Sequence, residues 1–236
     1  MRKYLVAAVA ALTVVGGTTA ALAQTSTEPT LNVKVKPTKA GTKKKPKNSS
    51  IHLLVVNNDQ KKSLSKLTIT MPKTLKVSGK GFKTCSVAKL NASGPSSCPK
   101  ASKVGGGSAD ALLGVNTASP TPLHFVVTAF VSGKNAISFY LHSTGVAVNV
   151  VAPGKVAGHK LIVTVPQVAQ QPVPGVWAGL VKLDTTLKGK AKKHNLIATT
   201  GCKGGKQPFK AALTFADNGV STPGTVTVKG SAKCKK

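Results

Sequence analysis

The chain has 236 residues, with 34 Lys and Arg against 5 Asp and Glu, and a formal net charge of +29. So few acidic residues leave little material for paired catalytic carboxylates or for a calcium site. A hydrophobic fraction of 41% and 23 Gly exclude both a disordered polyelectrolyte and a collagen-like chain. The length allows one large β domain or two small ones.

Residues 1–23 have the features of a secretory signal peptide. Arg2 and Lys3 form a basic start, residues 5–15 are apolar, and residues 21–23 (Ala-Leu-Ala) match a cleavage site. We therefore expect a mature chain that begins at Gln24 and is secreted to the extracellular side, with or without association with the cell wall. No later segment reaches the roughly 20 apolar residues of a membrane span, so no transmembrane anchor is expected after signal cleavage.

Most of the remaining chain alternates between apolar and polar residues, which is typical of β-strands. Leu31, Val33 and Val35 show this period of two first. Runs of β-branched and aromatic residues extend the pattern. In chain order, the predicted strands are 31–35, 51–56, 67–71, 123–131, 136–141, 146–151, 161–165, 177–187, 196–200, 209–215 and 225–228.

Clusters of Gly, Pro, Asn and Asp separate these segments. Short strands at this spacing predict an antiparallel, immunoglobulin-like β-sandwich of about a dozen strands. It is either one enlarged sandwich or two closely packed subdomains, an N-terminal β region at 24–115 and a C-terminal one at 116–236. No segment has a sustained helical stripe, and only one helical turn is expected, near residues 86–90.

The positive charge is concentrated in two flanks of the chain. Residues 24–103 have 17 Lys, residues 104–181 have three and residues 182–236 have 12, so the mature chain contains no Arg and has a net charge of +27. The low-complexity stretch KAGTKKKPKN at 39–48 predicts a mobile, solvated hairpin loop. The candidate anion-binding residues are Lys39, Lys43, Lys44, Lys45, Lys47, Lys188, Lys190, Lys192 and Lys193.

This charge has two interpretations. It keeps a secreted protein soluble, or it binds an anionic cell-wall polymer or another extracellular polyanion. Sequence-specific nucleic-acid recognition is not expected, because Lys is a hydrated point charge whereas Arg reads guanine edges and phosphates through a planar fork. Lysines spread evenly would favour the first interpretation, and lysines that converge on one face would favour the second.

Export makes disulfides accessible to the four cysteines, Cys85, Cys98, Cys202 and Cys234. Four cysteines allow three pairings, and the sequence alone does not choose among them. Proximity along the chain favours Cys85–Cys98 and Cys202–Cys234. A zinc site is disfavoured, because zinc motifs use close C-x2–4-C pairs and the nearest cysteines here have twelve residues between them.

No local motif predicts a catalytic or metal site. The five His lack the H-E-x-x-H spacing, and Gly105-Gly106-Gly107-Ser108 lacks the Lys and the helix of a phosphate-binding loop. That glycine run predicts a flexible turn or a bulge that enters a strand. Asp184 is expected to pair with a neighbour such as Lys182. We therefore expect no catalytic residue, no metal and no cofactor, and predict that the chain is not an enzyme.

Five segments carry distinctive motifs, among them GCKGGK from Gly201 and CPKxSKVG from Cys98, which is the most specific. The segments are KAGTKKKPK at 39–47, TCSVAKLNASGPSSCPKASKVGGGSA at 84–109, KVAGHKLIVTVP at 155–166, QQPVPGVW at 170–177 and TTGCKGGKQPFKAALTF at 199–215. Together they resemble a family of uncharacterised secreted, β-rich proteins of actinobacteria. The resemblance implies secretion, an all-β fold and both disulfide pairings given above, but no activity and no catalytic residues.

The sequence thus predicts a secreted, non-catalytic β-sandwich protein with a structural or adhesive role at the cell envelope. Lys-mediated binding of anionic wall polymers, polysaccharide or nucleic acid is the alternative. A hydrolase is a further alternative, which no motif supports.

Overall fold

The computed structural model describes residues 28–143 and 145–236, and the predicted signal peptide at 1–23 lies outside the described residues. Two short α-helices, α1 (Val87–Ser93) and α2 (Gln167–Gln170), accompany the strands. The strands are β1 (Thr30–Lys36), β2 (Lys47–Asn48), β3 (Ser50–Val56), β4 (Leu64–Thr70), β5 (Leu75–Val77), β6 (Lys103–Leu113), β7 (Thr121–Gly133), β8 (Ala136–Ser143), β9 (Asn149–Ala152), β10 (Gly154–Ala157), β11 (Lys160–Thr164), β12 (Ala178–Leu187), β13 (Lys190–Ala191), β14 (His194–Asn195), β15 (Ile197–Thr199), β16 (Lys206–Phe215) and β17 (Gly224–Lys233).

The prediction of an all-β, antiparallel fold with two disulfides is confirmed. Alternation decides which side chains face inwards: in β1, Val33 and Val35 are buried while Lys34 and Lys36 are exposed. Six strands were not predicted: β6, β10 and the short strands β2, β5, β13 and β14. The run of glycines in β6 and the Pro-Gly pair at the start of β10 are typical of turns, and this local signal hid both strands.

The large sheet curls so that its two edges meet. Its strands follow the order β1–β3–β12–β6–β7–β8–β10–β11–β4–β16–β17, and β9 also pairs with β8. The outermost strands β1 and β17 lie side by side and run parallel. Beyond them, Ala40 N donates to Lys235 O at 2.9 Å and Lys235 N donates to Thr38 O at 2.7 Å. This curled sheet therefore surrounds one core.

Strands from the two predicted regions alternate in this sheet. β12 lies between β3 and β6, and β4 lies between β11 and β16. Inward-facing residues from both halves of the chain form one hydrophobic cluster. The regions 24–115 and 116–236 therefore do not form separate sheets, because antiparallel pairing joins strands that are far apart in the chain.

A small sheet in the order β2–β15–β5 closes one end of the curled sheet. Leu75, Leu196 and Ile197 in and beside it have no exposed surface. The hydroxyls of Ser49 and Thr199 satisfy each other across the same sheet at 3.1 Å. This end of the core is therefore filled by side chains.

Both disulfides predicted from chain proximity are confirmed. The Cα atoms of Cys85 and Cys98 are 5.4 Å apart, and those of Cys202 and Cys234 are 5.8 Å apart. The first bridge closes the loop that contains α1. The expected helical turn is present there: the Oγ of Ser86 accepts a hydrogen bond from Lys89 N and caps α1.

Glycines in β6 allow three backbones to approach closely. A Cβ on Gly107 would overlap the carbonyl oxygen of Asp184 in β12, and a Cβ on Gly106 would lie 2.6 Å from the carbonyl oxygen of Val127 in β7. The predicted bulge is also present, since the register against β7 shifts between Lys103 and Gly105. The glycine run is therefore part of a central strand and not a turn.

We expect Gly107→Ala to destabilise the protein by about 2–4 kcal/mol, because the new methyl group forces the β6 and β12 backbones apart. Gly224→Ala is the matched control: nothing lies within 4 Å of its added Cβ. The control should change stability by less than about 1 kcal/mol, in the stabilising direction. Urea unfolding measures both, and equal effects would contradict the close approach at Gly107.

Candidate polyanion-binding end

Antiparallel strands bring their connecting loops to two opposite ends of the curled sheet. We term the end closed by the small sheet the basic end; its segments are 37–49, 71–83, 134–135, 158–159, 188–205 and 234–236. We term the other the open end; its segments are 28–29, 57–63, 114–120, 145–148, 165–177 and 216–223.

The two ends differ sharply in charge. The segments of the basic end contain 17 Lys and no Asp or Glu. The segments of the open end contain Lys61 and Lys62 together with Glu28, Asp59 and Asp217. Both remaining acids are on strands. The two lysine-rich flanks of the sequence therefore converge on one end of the fold.

The predicted hairpin loop at 39–48 connects β1 to β3, which pair antiparallel. A turn from Thr42 to Lys45 shapes its tip, and Gly41 N donates to the Oγ1 of Thr199 at 3.4 Å. Its last residues form β2, which pairs with β15. The loop is therefore tethered to the small sheet rather than free along its whole length. Its Lys39, Lys43, Lys44 and Lys45 side chains are exposed, and that of Lys47 is half-buried.

The second candidate segment is the hairpin of β13 and β14. Its two-residue turn consists of Lys192 and Lys193, both exposed. Lys192 has a φ of 51°. A positive φ at the first turn residue of a two-residue hairpin usually calls for Gly. A lysine therefore occupies a backbone conformation that costs it stability.

Backbone hydrogen bonds join the two candidate segments. β15 directly follows the hairpin and pairs with β2 on one side and β5 on the other. Leu196 N donates to Gly189 O at 3.0 Å, and Ser49 N donates to Ile197 O at 3.0 Å. The structure therefore brings together all nine predicted anion-binding lysines on one hydrogen-bonded frame.

Lysines missed by the sequence analysis extend this surface. Lys39 pairs with Lys235, and Lys203 pairs with Lys206, through isolated backbone bridges. The Cys202–Cys234 disulfide holds these segments together. Lys76 lies opposite Ala198 in the small sheet. These lysines share a position next to the ends of strands. This position can be recognised only once the strand order is known.

Crowded like charges without acidic neighbours repel one another. Salt screens this repulsion over a Debye length of about 8 Å at physiological ionic strength. A bound polyanion relieves it directly and releases counterions as it binds. The basic end is therefore chemically suited to a ligand with many closely spaced negative charges.

Two His–Asp pairs lie on the outer face of the curled sheet. His52 Nε2 is 2.7 Å from Asp184 Oδ1, and His124 Nδ1 is 2.6 Å from Asp110 Oδ1. Asp184 was expected to pair with a neighbour, and this neighbour is His52 on the adjacent strand β3. Both pairs are partly exposed, so each contributes little to stability.

The first pair does not complete a nucleophilic triad. Ser108 faces Asp184 from β6, whereas His52 lies on β3 at the other side of β12. A triad needs the imidazole between the hydroxyl and the carboxylate. Here the carboxylate lies between the other two, so these three residues are not arranged for acyl transfer.

Within 28–143 and 145–236, no three His, Cys, Asp or Glu residues come together as metal ligands. All four cysteines are in disulfides. Nor does this part of the chain contain a helix with the length and apolar composition needed to cross a bilayer.

No protein-family model matches the chain, and no curated protein matches it. Among solved structures, the crystal structure of a collagen adhesin from S. aureus aligns with 89% of this chain and 93% of its own, at 8% identity and a TM-score of 0.23. A similarity this low supports no structural or functional argument. The resemblance to secreted actinobacterial proteins therefore stays a prediction.

Lys192→Gly should stabilise the protein by about 0.5–1 kcal/mol, because Gly adopts the positive φ without steric cost. Lys193→Gly removes the same charge from the same turn, but Lys193 has no positive φ. We expect this control to destabilise by about 0.5–1 kcal/mol. Thermal unfolding at fixed salt separates the two, and a shift in the same direction would show that charge rather than backbone conformation decides.

Proposed function

We propose that this chain is a non-catalytic adhesive protein that binds an anionic polymer of the cell envelope through its basic end. The observation that carries this proposal is the convergence of 17 Lys, without any acidic residue, on one end of the fold. An evenly charged surface would instead favour a role in solubility alone.

The residue type favours a repetitive polyanion over a sequence-specific target. Each exposed lysine is a rotatable point charge with three donors and no acceptor, so it tolerates irregular phosphate or carboxylate spacing. The described residues contain no Arg for bidentate reading of base edges. A wall polymer with one charge per repeat supplies the chemistry that such a surface needs.

The frame beneath the lysines supports binding with a small entropic cost. The small sheet, the tethered 39–48 loop and the Cys202–Cys234 disulfide fix the backbone before any ligand arrives. Only the side chains then lose freedom on binding.

Secretion is part of this proposal. Residues 1–23 carry the signal-peptide pattern, and two disulfides are typical of proteins outside the reducing cytosol. A non-catalytic role is proposed because Asp184 lies between Ser108 and His52, which is not the order that acyl transfer needs. Attachment at one end leaves the opposite end directed away from the polymer.

We expect the combined substitution Lys43→Gln, Lys44→Gln and Lys45→Gln to weaken binding to linear inorganic polyphosphate. Each lost phosphate contact should reduce the slope of log K against log salt by about 0.7–0.9, so the three together reduce it by about two. Fluorescence anisotropy with labelled polyphosphate over a series of NaCl concentrations measures the slope.

The matched control is Lys66→Gln, Lys210→Gln and Lys229→Gln, which removes the same charge from exposed positions on β4, β16 and β17. This control should retain most of the affinity and most of the salt slope. Equal losses of affinity in the two variants would show that only net charge matters. They would contradict a dedicated binding surface at the basic end. Binding that persists unchanged at high salt would contradict the electrostatic mechanism.

A further inference from the structure

The curled sheet encloses an apolar cavity of about 270 Å³. Leu53, Ile69 and Phe139 line its deeper part, in the middle of the core. Val146 and Val173 line its mouth, in the segments 145–148 and 165–177. The cavity therefore opens at the open end, opposite the lysines of the basic end.

Packing is incomplete around this cavity. Strand alternation turns Leu113, Leu141, Val163 and Leu183 inwards, yet each is only partly buried, and all four line the cavity. At the basic end, by contrast, Leu75, Leu196 and Ile197 have no exposed surface. Apolar side chains on the inner face of a sheet are normally buried, so these four contact accessible space inside the sheet.

The cavity wall can hold a hydrocarbon and little else. Thr185 is the one polar side chain among the described lining residues, and its Oγ1 lies 3.4 Å from Gly106 O as a donor. The other lining residues are aliphatic, Phe, Pro or Gly. A charged or unpaired polar group would lose its hydration there without compensation.

The rim at the mouth exposes several valines. Val146 is 41% exposed, Val173 is 50% exposed and Val168 on α2 is 64% exposed. The segments 145–148 and 165–177 contain no Asp, Glu or Lys. A hydrocarbon chain therefore enters past these valines without displacing water from a charged group.

We propose that this cavity binds the hydrocarbon chain of a single-chain amphiphile, whose polar head remains in water at the mouth. A roughly 150 Å³ apolar cavity holds the six carbons of benzene, so a cavity of this volume holds about ten carbons. The site is independent of the basic end, and its ligand needs no charge.

The protein contains a natural reporter of occupancy. Trp177 is the single Trp in the sequence, and it precedes Ala178, which lines the cavity. Its backbone N donates to the Oδ1 of Asn116 at 2.9 Å, which fixes the start of β12 at the mouth. We therefore expect intrinsic fluorescence to report events at the mouth without a label, and thermal stability gives a readout that does not depend on the indole.

The test titrates the mature chain with neutral straight-chain alcohols of increasing length, followed by Trp177 fluorescence and by thermal stability. Affinity should increase about fourfold for each added methylene until the cavity is full, and then level off. It should not decrease at high NaCl, which separates this site from polyanion binding. The proposal is overturned if neither fluorescence nor thermal stability responds, or if the response does not depend on chain length.

Val173→Asp and Val220→Asp form a matched pair of rim and off-site variants. Both valines are about half exposed at the open end, but only Val173 lines the cavity. We expect Val173→Asp to weaken alcohol binding about tenfold, the equivalent of one lost valine contact, while Val220→Asp binds like the parent. Equal affinities in the two variants would contradict entry at this mouth.

Ala111→Phe tests the interior. Ala111 lines the cavity, so a phenyl ring there should fill it and abolish the chain-length dependence. Ala212→Phe is the control, because Ala212 is partly exposed on β16 and lies outside the cavity lining. Circular dichroism checks folding. If Ala111→Phe does not fold, the rim pair decides; if it folds and still binds long alcohols like the parent, the proposal is wrong.

Discussion

Closure of the large sheet is the constraint on which the rest of the structure depends. Antiparallel pairing sends successive loops to alternate ends, and the meeting of β1 with β17 leaves the loops no position along the sheet edges. Apart from 84–102, which packs against Phe130, Tyr140 and Val151, each loop therefore belongs to the basic end or to the open end. Two lysine-rich flanks that lie far apart in the sequence are brought together by this geometry, because β2 and β15 then become neighbours.

The same closure leaves the core with two unequal ends. The small sheet supplies Leu75 and Ile197, which fill the core at the basic end. Within 28–143 and 145–236, no comparable element fills the open end, where the cavity of about 270 Å³ remains. At about 24 cal/mol per Å³, an unfilled cavity of this volume costs on the order of 6 kcal/mol. Whole domains have a free energy of unfolding of only about 5–15 kcal/mol. An apolar ligand that fills the cavity therefore stabilises the fold by a large fraction of this value.

Local signals in the sequence were enough for most of the long strands, the disulfides and the 39–48 hairpin, because alternation, chain proximity and turn composition act over a few residues. They failed where structure depends on strands that are far apart in the chain. Gly107 indicates a turn by itself, and its place in a central strand follows only from the approach of Asp184. The His52–Asp184 pair and the cavity were missed for the same reason, because both depend on which strands become neighbours. Ala109 and Ala111 lie on β6 and line the cavity, but the space beside them depends on which strands lie opposite.

Distance keeps the two proposed sites energetically separate. β7 runs for 13 residues from the open end to the basic end, which corresponds to about 40 Å of extended strand. The Debye length at physiological ionic strength is about 8 Å, so the field of the lysines is almost entirely screened at the valine rim. A polyanion at one end therefore neither attracts nor repels an uncharged amphiphile at the other. Both ligands can be bound at once, with the cavity mouth directed away from the polymer and open for exchange.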